Sequence, residues 1–266
     1  MVGGESGCTH SILDDQGSEF ILKWGEGSEF RVQQPLEITR RLRGLGYPAP
    51  EFIVASSGTG LRYLVQRMLR GRPGATLTPA LLERVVELNR LQDEAASEFL
   101  EGWPTRIVES IEEGFEDWCV HDSLATHSRQ TAALLGEVRR TVPMVAGAHF
   151  RTTDAVHFDF STANILVEHG EVSGVIDWNG CCAGDRAFDL TTLAFYALED
   201  PSVAAWLLDR ARELSGAPAV ALYLAHMIVR QLDWSIRNHD PPTVNRYLNL
   251  SLSALRVIRE LRDRPR

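Results

Sequence analysis

The sequence predicts an α+β protein of two lobes, a small strand-rich one followed by a larger helical one. Three observations carry this. Up to residue 66, short apolar runs alternate with glycine-, serine- and aspartate-rich turns. From Thr78 onward, apolar residues recur at helical spacing in long stretches. Between them, Arg67–Ala75 (Arg-Met-Leu-Arg-Gly-Arg-Pro-Gly-Ala) has the composition of a connector. The expected division is therefore 1–66, a 67–75 linker and 76–266.

In chain order, Gly3-Gly4-Glu5-Ser6-Gly7 is a glycine turn whose backbone N–H groups could approach an anion closely. The numbering starts almost inside it, so a strand ahead of it would lie before residue 1. His10–Leu13 and Glu19–Trp24 read as strands around the turn Asp14–Gly17, and the second contains Lys23. Pro35–Gly46 reads as a helix, with Pro35 and Glu37 in its first turn and Ile38, Leu42 and Leu45 on one face. Glu51–Ala55 and Leu61–Gln66 are two further strands. Thr78-Pro79 opens a helix to about Glu94 with the expected cap and first-turn proline. Further helices are expected at 105–119, 127–140, 186–198, 217–237 and 242–262.

Composition excludes several classes. A hydrophobic fraction of 44% with 24% charged residues belongs to a globular chain, not a disordered or fibrous one. The net charge of −9 argues against a nucleic-acid partner, which clustered Lys and Arg would bind. It suits a cationic small molecule. The longest apolar run, 218–229, is interrupted by His226 and falls short of the ~18 residues a membrane span requires. With no basic, apolar leader at its start, the chain is expected in the cytoplasm. Cys8, Cys119, Cys181 and Cys182 lack disulfide or zinc spacing and read as reduced thiols.

Of 27 basic side chains, 26 are arginine and one, Lys23, is lysine. Arginine serves wherever a surface cation suffices. A position that keeps lysine is either a chance survivor of that bias or one with a use for a compact ammonium that a planar fork does not meet.

The most informative stretch is 156–178. Ile165–Glu168 and Val172–Ile176 flank a His169-Gly170 turn and should form a hairpin. In that register Asn164 and Asp177 stand two positions out of step at the hairpin's open end, on neighbouring strands. Two oxygen-bearing side chains there suit a hard cation such as Mg2+, which fills its other positions with water and phosphate. Asp159, in the loop feeding that end, can accept a hydroxyl proton. His157 reads as a residue that holds the loop. Taken singly, each of these has a bland alternative: a turn cap, a hairpin-end carboxylate, a satisfied histidine.

Together, His157-Phe158-Asp159-(four residues)-Asn164, Ile176-Asp177-Trp178 and Gly184-Asp185-Arg186-Ala187-Phe188-Asp189-Leu190 resemble the aminoglycoside phosphotransferases and related small-molecule kinases. The resemblance implies the bilobal protein-kinase-like fold, with a small antiparallel sheet in the first lobe. It implies Asp159 as catalytic aspartate, Asn164 and Asp177 as magnesium ligands, and Lys23 on the nucleotide phosphates, paired with Glu37. Gly3, Gly4, Ser6 and Gly7 would cover the phosphates. Gln66, Arg67 and Met68 would form the hinge against the adenine. ATP is the expected phosphoryl donor, with GTP open beside it, and the acceptor is a hydroxyl of a small molecule, expected to be an antibiotic bound by a monomer. A metabolic kinase of the same fold and an inactive nucleotide-binding module are the alternatives.

The sequence departs from the family pattern twice. Phe158 and Phe160 flank Asp159 where Gly-Asp-Leu is usual, and Arg186 replaces the proline of Gly-Asp-Pro. Asp185 and Asp189 are expected to brace loops. In the helical lobe Glu109, Glu112, Glu113, Glu116 and Asp117 read as a solvated helix surface. Asp233, Trp234, His239 and Asp240 are a second possible pocket edge.

Overall fold

The computed structural model describes residues 9–25, 30–56, 60–99 and 102–263. Its chain divides into two compact units, 1–99 with 154–182, and 100–153 with 183–266. The connector 67–75 therefore lies inside the first unit, not between two. The reason is hydrogen bonding: Arg72 exchanges both backbone bonds with Val167, at 3.0 and 2.9 Å, and Gly74 N–H donates to Thr162 O at 2.7 Å.

The first unit holds a four-stranded antiparallel sheet, order β1-β2-β4-β3, from β1 (Thr9–Leu13), β2 (Glu19–Gly25), β3 (Phe52–Ser56) and β4 (Arg62–Arg67). The β1–β2 turn closes as its composition predicts. Asp14 O accepts from Gly17 N–H, and Asp14 Oδ1 accepts from the N–H groups of Gln16 and Ser18. α1 (Gln33–Gly44) starts two residues before Pro35, so Glu37 lies beyond its first turn. Its apolar stripe buries Ile38 and Leu42 completely. α2 (Pro79–Leu91) is capped by Thr78, whose hydroxyl accepts from Leu81 N–H. At its end Gln92 is fully buried; its Nε2 donates to Ala155 O and its own carbonyl accepts from Ala155 N–H. This fixes the short strand β5 (Asp154–Val156), which leads into the 157–164 loop.

β6 (Ile165–Glu168) and β7 (Glu171–Val175) form the expected hairpin. His169 and Gly170 both have positive φ, 52° and 85°, as the tight turn requires. Near the turn Glu168 faces Glu171 in the expected register, but a bulge then shifts the pairing by one, so that Ile165 faces Val175. Val175 N–H donates to Pro48 O at 2.9 Å, which ties the hairpin to the segment after α1.

The second unit is helical: α3 (Thr105–Glu112), α4 (His121–His127), α5 (Arg129–Arg139), α6 (Ala187–Tyr196), α7 (Pro201–Asn238) and α8 (Pro241–Asp263). The helix expected over 105–119 ends at Glu112, where Gly114 takes φ 76° and stops it. α7 carries a helical stretch before residue 217 that the sequence analysis did not anticipate. Asp200 caps it by accepting from Ser202 and Val203 N–H, and the stretch breaks at Gly216 (φ 81°, ψ 166°). Leu190, Leu193, Phe195, Leu222, Leu224 and Ile228 are core residues of this unit. Among the described residues no helix is long and apolar enough to cross a membrane.

Candidate active site

His157 is fully buried, and its Nε2 lies 2.7 Å from Ile176 O. A carbonyl can only accept, so Nε2 carries the proton and Nδ1 is left as an acceptor for Asp159 N–H at 3.3 Å. The imidazole thus holds the loop, as the sequence suggested. Between them Phe158 takes φ 74°. At that position the family pattern places glycine, the residue that adopts this conformation without steric cost.

The side chain of Asp159 meets Asn164, whose Nδ2 donates to Asp159 Oδ2 at 3.0 Å and to Asp159 O at 2.8 Å. With its nitrogen so engaged, the planar amide turns Oδ1 the other way. Ile176 N–H donates to Asn164 O at 2.9 Å. One residue, Ile176, therefore carries His157 on its carbonyl and the Asn164 carbonyl on its N–H, and the next residue is Asp177. Asp159, Asn164 and Asp177 are fastened around it.

Asp177 has left-handed backbone angles, φ 68° and ψ 55°. Lys23 is paired across the sheet with Thr9 and Leu64. Only 9% exposed, it brings its ammonium 2.6 Å from Asp177 Oδ1 and 3.0 Å from Asn179 Oδ1. Partial enclosure pushes the Asp177 carboxyl up, but the charge and hydrogen bond of Lys23 leave it below the usual value. It is therefore ionised at neutral pH.

Other expected residues fall elsewhere. Glu37 does not meet Lys23; its carboxylate accepts from Gln33, one turn back, beside Arg40 and Arg41. Its place beyond the first turn of α1 gives it these helix-face neighbours, and the ammonium takes Asp177 and Asn179 instead. Gln66 is buried in β4 opposite Ile21 and Phe52. Arg67 pairs with Glu51 through Nε at 2.9 Å, and Met68 is exposed, its N–H donating to Glu19 O. Gly3, Gly4, Ser6 and Gly7 lie outside the described residues. Sequence reasoning missed Asn179; the signal available was its place in a polar turn two residues after Asp177.

In the helical unit Asp185 braces, as expected. Fully buried, it accepts from Ala187 N–H, Ser215 Oγ and Tyr223 Oη at 2.8–2.9 Å. Glu109, Glu112, Glu113, Glu116 and Asp117 are all exposed. Asp233 is committed to Ser123 and Arg237, and Asp240 accepts from Thr243 N–H at the start of α8.

Residues 3–223 match the model of the phosphotransferase enzyme family. Over 86 residues the chain is 29% identical to hygromycin-B 4-O-kinase of Escherichia coli; the match takes in 30% of this chain and 25% of that relative, a quarter of its length. The structure is similar to a thermostable mutant of aminoglycoside phosphotransferase APH(4)-Ia in its apo form, with TM-score 0.71 and 17% identity over 93% of this chain and 94% of that one. It is also similar to amicoumacin kinase hAmiN in complex with AMP-PNP, Ca2+ and Ami, with TM-score 0.63 and 15% identity over 96% and 85%. The fold is the α+β, protein-kinase-like one that the resemblance implies.

Proposed function

Because the chain belongs to the phosphotransferase enzyme family, we propose that it transfers the γ-phosphoryl group of ATP, bound with Mg2+, to a hydroxyl of a small-molecule antibiotic. The observation that supports this best is the joint at Ile176, which groups a proton acceptor, an amide oxygen and a lysine-paired carboxylate.

Asp159 accepts the hydroxyl proton as the acceptor oxygen bonds to the γ-phosphorus. The bond from that phosphorus to the β–γ bridging oxygen breaks, and ADP leaves with the electron pair. Asn164, by turning its Nδ2 to Asp159, steadies the carboxylate in the orientation that receives the proton. Lys23 meets the phosphate chain with a charge that its burial keeps in place. Asn164 Oδ1 and the Asp177 carboxylate are hard oxygen donors and fit Mg2+, which they would hold with water and phosphate oxygens completing the shell. Magnesium bound there would offset the negative charge of the phosphates. Positioning and charge neutralisation account for most of such a reaction, so few side chains suffice.

The antibiotic class is supported by the names of the similar proteins, a hygromycin-B kinase and an amicoumacin kinase, and by the acidic net charge of −9, which suits a cationic acceptor. A panel of aminoglycosides, basic peptides, nucleoside-like antibiotics and metabolic alcohols, assayed for ATP-dependent gain of one phosphoryl mass, tests it. Gain on a metabolite alone overturns the antibiotic assignment. Asp159→Ala should lower kcat by ~10²- to 10⁴-fold with nucleotide affinity retained; an undiminished kcat removes Asp159 from its role.

A further inference from the structure

Asn179 stands two residues beyond Asp177 and shares its cation: Lys23 Nζ is 2.6 Å from Asp177 Oδ1 and 3.0 Å from Asn179 Oδ1. An ammonium offers only donors, so the carboxamide atom facing it is the oxygen. The nitrogen, Nδ2, consequently points away from Lys23. It is buried, and among the described residues it has no hydrogen-bond partner.

Folded proteins leave few buried donors unmatched. This one lies in the turn that follows the Asp177 carboxylate, and the Lys23 ammonium reaches both residues from β2, a pair that suits a phosphate-bearing ligand. The turn that carries it, Trp178–Gly180, is not loose. Trp178 is 1% exposed, donates from Nε1 to Val175 O at 2.9 Å, and packs edge-on against His157 and Tyr47 with centroids 4.7 and 5.4 Å away. The unmatched donor is thus held at a fixed place beside the ionic pair.

We propose that Asn179 is a nucleotide-positioning residue: its Oδ1 holds the Lys23 ammonium, and its Nδ2 donates to an oxygen of the bound nucleotide's phosphate chain. This rests on the phosphotransferase reading. The neutral oxygen has a specific use there. When the Asp177 carboxylate turns to a cation, Lys23 keeps an acceptor that carries no charge of its own, so the ammonium remains beside the phosphates.

Calorimetric titration of the full chain with AMP-PNP, with and without Mg2+, tests it alongside thermal melting of the unliganded protein. Asn179→Ala should weaken Mg2+·AMP-PNP binding by ~10- to 100-fold, the worth of one hydrogen bond to a charged group. Unliganded melting should change little, because the substitution removes an unmatched donor together with one of the two acceptors of Lys23, which keeps Asp177. Asn179→Asp keeps an oxygen for Lys23 but sets a carboxylate against the phosphates, and should bind at least as weakly as the alanine variant. Wild-type affinity in both variants overturns the proposal. So does recovery of affinity in Asn179→Asp, which would reduce the residue to its contact with Lys23. Failure of the wild-type chain to bind AMP-PNP at all would instead overturn the phosphotransferase reading.

Discussion

His157 and Ile176 are joined by a 2.7 Å hydrogen bond from the imidazole Nε2 to the backbone carbonyl, nineteen positions apart in the chain. It ties the loop bearing Asp159 to the strand end bearing Asp177. His157→Phe retains a ring against Trp178 but leaves Ile176 O and Asp159 N–H without their partner. Urea unfolding should show a loss of about 1–3 kcal/mol, the cost of stranded buried groups, and kcat should fall. A variant as stable and active as the parent would show that the imidazole is not the joint.

Phe158 holds φ 74° at the position where the family pattern has glycine. Alanine and glycine both delete the ring, so comparing them isolates the backbone. In most settings alanine is the more stable of the two by about 0.5–1 kcal/mol. Here the order should reverse, with Phe158→Gly more stable than Phe158→Ala by about 1 kcal/mol in chemical denaturation. An ordinary ranking would mean that the left-handed conformation carries no strain.

Gly184 lies under Trp103: a Cβ built on it would stand 2.6 Å from the indole ring. The ring cannot retreat freely, because Trp103 Nε1 donates to Tyr223 Oη, which donates in turn to the buried Asp185. Gly184→Ala should cost about 1–3 kcal/mol of stability as overpacking, measured by thermal melting. In a Trp103→Leu background the penalty should shrink; an equal penalty there would place the clash elsewhere.

His226 is fully buried, and its Nδ1 contacts Ser110 Oγ at 2.7 Å. Burial, with Arg230 and Arg106 adding to it, holds the imidazole well below its ordinary value of 6.5. The folded state therefore stays unprotonated while the unfolded chain takes up a proton below pH 6.5, so stability falls as pH drops from that value towards the folded pKa. The slope from this group approaches ~1.4 kcal/mol per pH unit. Unfolding free energies measured between pH 7 and pH 5 should fall less steeply in His226→Gln. Parallel slopes would exclude the histidine as the source.

Particular residues show what the sequence made legible and what it did not. The hairpin around His169-Gly170 followed from strand periodicity and turn chemistry, because both are local rules. The bulge between Leu166 and Val167 did not, since a one-residue slip is set by what the extra residue meets. Here Ser173 donates to Arg70 O, a hundred residues away in the chain. Glu37 was misplaced for a related reason. Its helix begins at Gln33, which puts Glu37 past the first turn, and the partners of Lys23 are set by a turn more than 150 residues away in the chain. The helical stretch from Pro201 announced itself in Asp200-Pro201, a cap and first-turn proline whose meaning was not drawn out. Asn179 left no periodic trace, because the three-residue turn that carries it is too short to have one.

The bond from Lys23 to Asp177 spans 154 positions. On a ribosome adding roughly 5–20 residues per second, the ammonium waits some 8–30 s, as an order-of-magnitude figure, before its carboxylate has even been made. Nascent chains cut short ahead of residue 177 would carry a finished sheet and an ammonium still without its carboxylate.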